Sequence, residues 1–215
     1  MYFIMTVMFV MLAIAAAQNP DRFMERLVAK MRRDMAEAEV GESLSMAERE
    51  IKRGVSSADA AEFVKAHNDA RHRVRPAPSD EPDMTWDPTL ARIAQSYADR
   101  CIWGHSTANA RSSGSGFDYV GENLFVSTYS DVSPSAAVEA WEGEKKDYHY
   151  DTMKCNPGKM CGHYTQVVWH DSVKVGCGVK VCGTLTNSSM KKATYVVCNY
   201  GPGGNYRGEH PYPSQ

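Results

Sequence analysis

Two histidines and two glutamates stand where polar residues interrupt apolar runs. His105 follows Trp103-Gly104, Glu122 sits in Gly121-Glu122-Asn123-Leu124, Glu144 comes three residues after Trp141, and His163 directly precedes the run Tyr164 to Trp169. A neutral imidazole is a ligand for Zn2+ or a similar divalent ion. A carboxylate beside it can orient the ring or hold water. A glutamate near an apolar helix face needs a partner or a cavity, because an unpaired buried charge is costly; otherwise Glu144 is an edge residue in water. The four side chains could meet in one cleft, although spacing alone does not bring them together. With only two imidazole ligands the site would hold its metal weakly. Signals for conventional nucleophilic catalysis are lacking: there is neither a Gly-x-Ser-x-Gly elbow nor a His-Glu-x-x-His helix. Ser106 adjoins His105, but sequence neighbours rarely take triad geometry. The enzymatic alternative is a metal-dependent hydrolase or protease, with a metal-activated water and a glutamate base.

The elements that must position these residues are mostly helices first and strands last. Ser56 and Asp59 form a capping-box pattern ahead of Phe63, Val64, His67, Ala70, Arg71 and Val74 at helical spacing, and Pro76 and Pro78 stop that helix. Asp87-Pro88 opens a second helix striped by Leu90, Ile93, Ala94, Tyr97, Ala98 and Cys101. A Ser/Gly/Asn-rich loop spans 106–116. Ser133-Pro134 starts a third helix with Ala137, Val138, Trp141 and Tyr148 along one face, so that Glu144 is expected near its apolar side. The period then changes to two. Val173, Val175, Cys177, Val179 and Val181 alternate with Lys and Gly, and residues 193–200 form a second β-rich run. The polar connection 184–192 contains Asn187-Ser188-Ser189, a glycosylation acceptor pattern at Asn187. This order predicts an α+β fold with an antiparallel sheet.

Residues 1–17 carry no side-chain charge and end in Ala15-Ala16-Ala17, the pattern of a secretory signal peptide; a membrane anchor is the competing reading. Residues 18–55 form a charged N-terminal extension or propeptide. Between 18 and 53 it holds eight charges of each sign, with Phe23, Leu27, Met31 and Met35 at every fourth position. Lys52-Arg53 could be a processing site or two helix-surface charges. Residues 56–215 make the domain proper. Its six cysteines, all from residue 101 onward, fit three disulfides in an exported protein; the absence of any Cys-x2-Cys pair argues against a zinc-thiolate site. A net charge of -2 gives no basic footprint for nucleic acid. No window beyond the N-terminus reads as a transmembrane anchor.

Gly-His-Tyr-Thr-Gln-Val-Val-Trp at 162–169 resembles the first signature of the CAP superfamily (cysteine-rich secretory proteins, antigen 5 and pathogenesis-related group one; the SCP domain), and 195–206 is similar to the second. His67-Asn-Asp-Ala-Arg71 and Gly121-Glu-Asn-Leu124 match two shorter motifs in the family's order. The resemblance implies a three-layer α-β-α sandwich around a central antiparallel sheet. It also implies a metal-competent cleft lined by His105, Glu122, Glu144 and His163. Likeness to single-domain members implies pairing Cys101 with Cys182, Cys155 with Cys161, and Cys177 with Cys198. Cys177 and Cys182, five apart, should project to opposite faces of their strand. Family members are implicated in sterol and lipid binding, defence, venom and reproductive secretions. By that likeness the segment after Gly121-Glu-Asn, with Phe125, Val126, Tyr129 and Val132, either lines a lipid slot or caps the core. The reading that results is a secreted, extracellular binding or effector protein with weakly held Zn2+, acting on a sterol or lipid or on an extracellular protein.

Overall fold

The computed structural model describes Glu25 and residues 28–38, 54–78, 80–129 and 132–214. The apolar segment 1–17 and Lys52-Arg53 lie outside the described residues. The chain divides into two compact units, Met1–Glu50 and Ile51–Gln215. In the first, residues 28–38 are helical, with Met31 and Met35 exposed. Among the described residues no helix is long and apolar enough to cross a membrane.

In the second unit, helix α1 (Ser57–Arg71) begins where Ser56 Oγ accepts from the Asp59 amide, satisfying one of the donors a helix start leaves unpaired. It buries Ala60, Phe63, His67, Ala70 and Arg71, a stripe at helical period. Strand β1 (Thr85–Trp86) follows. Helix α2 (Pro88–Ala98) starts at Asp87, whose Oδ1 accepts from the Thr89 and Leu90 amides at 2.8 and 2.9 Å, and it buries Leu90, Ala94 and Ala98. It ends before Cys101, which takes a left-handed φ of 51°. The loop expected over 106–116 contains a short helix, α3 (Ala108–Ser112). Then come β2 (Gly121–Ser127), α4 (Pro134–Glu142) capped by Ser133, a 3-10 turn (Gly143–Asp147), a two-residue ribbon of β3 (Tyr148–His149) with β4 (Lys154–Cys155), α5 (Gly162–Val167), β5 (Lys174–Thr184) and β6 (Lys191–Gly201).

The sheet order is β1-β5-β6-β2. β5 and β6 form an antiparallel hairpin, and β2 runs antiparallel to β6 along its length, from Gly121 opposite Tyr200 to Ser127 opposite Thr194. The sheet is not wholly antiparallel as expected: β1 pairs parallel to β5, because the chain returns to that edge only after crossing through the helices and β2.

The period-two pattern sorts side chains into two cores. Val175, Cys177, Val196, Cys198 and Tyr200 face Phe63, Ala70, Val138 and Trp141 from α1 and α4. On the other face Tyr195, Val197, Leu124 and Cys182 meet Ala94 and Ala98 of α2. Helices thus cover both faces, as the α-β-α sandwich requires. Each such fully buried Val, Leu or Phe contributes about 1.5–3 kcal/mol. The glycines of β5 have a reason. A Cβ at Gly176 would lie 2.2 Å from the Ala91 amide nitrogen, so α2 rests its backbone directly on the strand.

All three disulfides take the expected pairing, and Cys177 and Cys182 fall in opposite cores. Cys101–Cys182 closes a separation of 81 residues. In the chain-entropy picture that is about 4–5 kcal/mol of stabilisation.

Candidate functional site: two histidine–glutamate pairs at a sheet edge

The site is built on the start of edge strand β2. Glu122 projects to the α2 side of the sheet, where the turn after α2 delivers His105. His105 Nδ1 donates to Glu122 Oε1 at 2.8 Å, the Ser106 amide donates to the same oxygen at 2.9 Å, and Ser106 Oγ donates to Oε2 at 2.7 Å. Three donors compensate a carboxylate whose side chain is only 1% exposed. His105 itself is 58% exposed.

The second pair is assembled differently. α4 ends at Gly143, and Glu144 lies on the 3-10 turn rather than on the helix, contrary to the spacing argument. From there its carboxylate caps α5: Oε2 accepts from the His163 and Tyr164 amides, both at 3.1 Å, and Oε1 accepts from His163 Nδ1 at 2.7 Å. The His163 ring lies nearly parallel to Trp141, with centroids 6.3 Å apart. The structure therefore pairs His105 with Glu122 and His163 with Glu144.

Asn123 links the two pairs. It follows Glu122 on β2 and so points to the opposite face. Its Nδ2 donates to the His163 carbonyl at 3.0 Å and to the Tyr200 hydroxyl oxygen at 3.1 Å. Tyr200 in turn reaches His67 Nε2 at 2.9 Å, while His67 Nδ1 donates to the Phe63 carbonyl at 2.7 Å. These partners fix the neutral tautomer with the proton on Nδ1. Burial, ahead of the opposing hydrogen bond to Phe63 and the repulsion of Arg71, lowers the His67 pKa to about 4. Sequence reasoning passed over Asn123 and Ser106 as partners of the site; their signal was adjacency to Glu122 and His105.

Both site histidines spend Nδ1 on a carboxylate and keep Nε2 without a hydrogen-bond partner among the described residues. This donor set has the chemistry of two separate ligand nitrogens, each imidazole supported by its own glutamate. It does not fit a cage of several protein ligands: among the described residues no group of three or more His, Cys, Asp or Glu could hold a metal ion.

The segment proposed to contact lipid divides. Phe125 and Val126 are strand residues on opposite faces of β2, packed against the α1/α4 core and the α2 core respectively, so they do not line one slot. Their alternation on a paired strand is the physical reason. Val132 is half-buried, and Tyr129 is 77% exposed. Asn187 is exposed at the hairpin tip with φ 62°.

A helix-sheet-helix sandwich with paired histidines and glutamates at one sheet edge defines a class of domain. Residues 64–200 match the family model described as CAP, the cysteine-rich secretory protein family, and the chain belongs to that family. It is 41% identical over 150 residues to peptidase inhibitor 16 of Mus musculus, covering 70% of this chain and 28% of that protein. Identity to peptidase inhibitor 15-A of Danio rerio is 40% over 171 residues, covering 75% and 64%. The chain thus spans well under two thirds of the first and just under two thirds of the second. Among solved structures it is similar to NaASP2 with Zn2+ (TM-score 0.61, 29% identity, 75% of this chain and 88% of that one). It is likewise similar to the venom allergen-like protein 4 of Schistosoma mansoni (TM-score 0.61, 25% identity, 74% and 96%).

Proposed function

We propose that this chain is a secreted, extracellular CAP protein that acts by binding rather than by turnover, with His105 and His163 as the ligands of a weakly held divalent ion, Zn2+ first among them. The observation that carries the reading is the matched engagement of both rings: each has Nδ1 held by a glutamate and Nε2 left over. Carboxylate–imidazole pairs of this kind orient a ligand ring and raise its basicity. A bound ion would supply a fixed positive charge and a cross-link between the two pairs. Glu122 and Glu144 fix ring orientation, and Asn123 ties the His163 backbone to the strand that carries Glu122. The three disulfides support export, since such bonds persist in oxidising compartments. The Zn2+ in the NaASP2 structure supports the choice of ion. A sterol or lipid, or an extracellular protein, is the partner.

Calorimetric titration of the purified domain with Zn2+ tests the metal reading. Saturable binding is expected in the native chain and loss in both His105→Ala and His163→Ala, with Glu122→Gln weaker by about 10–100-fold. Titrations indistinguishable among these proteins would end the proposal. Saturable cholesterol binding, reduced in Tyr129→Ala, would assign the partner as a sterol; its absence removes the sterol reading.

A further inference from the structure

A polar hollow lies on the α2 side of the sheet, between α2 and α3; none of the four site residues lines it, although Ser106, which donates to Glu122, stands in its wall. Its volume is about 290 Å3. Arg92 reaches it from α2, Arg100 from the turn that follows α2, and Arg111 from α3, and no aspartate or glutamate contributes to its wall. None of the three arginines makes an ion pair among the described residues. Arg111 spends Nε on the Val120 carbonyl at 2.7 Å and Nη1 on the Ser106 carbonyl. Arg100 lies over the Tyr97 ring, 5.5 Å from its centroid. Like charges gathered along one wall repel one another.

The wall also includes Asn199, on the β6 face that looks toward α2. Asn199 is 1% exposed, yet neither its Nδ2 nor its Oδ1 has a hydrogen-bond partner. A buried amide with both ends unmet is costly. Its presence here is explained if something polar occupies the hollow.

We propose that this hollow binds a sulfate or phosphate ester carried on a hydroxyl-bearing molecule. The ester oxygens meet the guanidinium groups, and a hydroxyl, which both donates and accepts, meets the Asn199 amide. Guanidinium forks match the geometry of such oxyanions. The volume suits one charged group with one sugar-sized carrier. Two sources present that chemistry outside the cell, a sulfated saccharide and a phospholipid headgroup.

The test is calorimetry on the full secreted chain at low salt with a sulfated disaccharide and its desulfated counterpart, beside sedimentation with vesicles containing phosphatidylglycerol. Saturable binding is expected for one of the charged probes, and which one responds identifies the source. Affinity should fall at least tenfold in the surface double variant Arg92→Ser/Arg100→Ser. It should fall similarly in Asn199→Leu, whose thermal midpoint should hold or rise because an unmet amide is removed. Zn2+ titration of the same variants should match the native chain, which separates this hollow from the histidine pairs. Absence of binding by both charged probes overturns the proposal, as does equal affinity for the desulfated disaccharide or unchanged affinity in the variants.

Discussion

Arg71 is fully buried, and its replacement by methionine tests how the domain is held together. The guanidinium stands at the end of α1 and gathers backbone from two distant segments. Nε donates to the Pro82 carbonyl at 2.9 Å, Nη1 to those of Val167 and Trp169 at 3.1 and 2.8 Å, and Nη2 to that of His170 at 3.1 Å. Glu81 Oε1 lies 2.9 Å from Nη2, and the Glu81 side chain is 4% exposed. Methionine keeps the stem volume and removes every donor. At ~1–1.5 kcal/mol net for each of the four carbonyl bonds, the loss is about 4–6 kcal/mol. Burial already pushes the Glu81 carboxyl up to about 7 against the pull of Arg71, so without the arginine it protonates rather than staying charged. Adding Glu81→Gln to Arg71→Met should therefore return only about 1–2 kcal/mol. The assay is equilibrium urea unfolding followed by tryptophan fluorescence. With a slope of ~2 kcal/mol/M, the midpoint should fall by about 2–3 M. A fall corresponding to less than about 1 kcal/mol would refute the account, because the carbonyls would then be satisfied without the arginine.

Two further outcomes follow, one from this core and one from the α2 face of the sheet. His67, lowered to about 4 in the fold against an ordinary value of 6.5, binds its proton in the unfolded chain first. Its contribution is thus complete above pH 6.5 and lost as pH falls from there toward 4, amounting to about 2–3 kcal/mol; unfolding curves across that range should flatten in His67→Phe relative to the native chain. Gly176→Ala places a methyl against the backbone of α2 and should cost about 2–3 kcal/mol in a thermal or urea melt, while the matching change at exposed Gly183, with open space around it, should cost under about 0.5 kcal/mol.

The helix starts were legible because their chemistry is local. Ser56, Asp87 and Ser133 each accept amides two or three residues ahead, and proline at the first position marks two of them. The valine–glycine alternation of β5 was legible for the same reason, since one strand in register suffices to define it. β2 was not, because Gly121-Glu-Asn-Leu is buried on both faces and shows no polar alternation. β1 has two residues, and only its partner Lys174–Val175 reveals it. Glu144 was placed by counting along a helix that in fact ends at Gly143, and its role comes from α5, nineteen residues on. The four site residues were found through motifs. Their division into two pairs, and the bridge through Asn123, depend on which face of an edge strand each residue takes. A slip of one residue would exchange the positions of Glu122 and Asn123.

Among the described residues no fifth strand pairs with the outer margin of β2. Such a margin invites another chain to dock by backbone pairing. Here the indole of Trp141 reaches across from α4 and donates Nε1–H to the Leu124 carbonyl at 3.1 Å. One aromatic ring thereby occupies a carbonyl on the strand next to Glu122 and Asn123, and it stacks with His163 as it does so. The same side chain that takes one edge carbonyl out of reach of an intruding strand also walls the ring of a proposed ligand, so one tryptophan serves both the margin of the sheet and the orientation of the site.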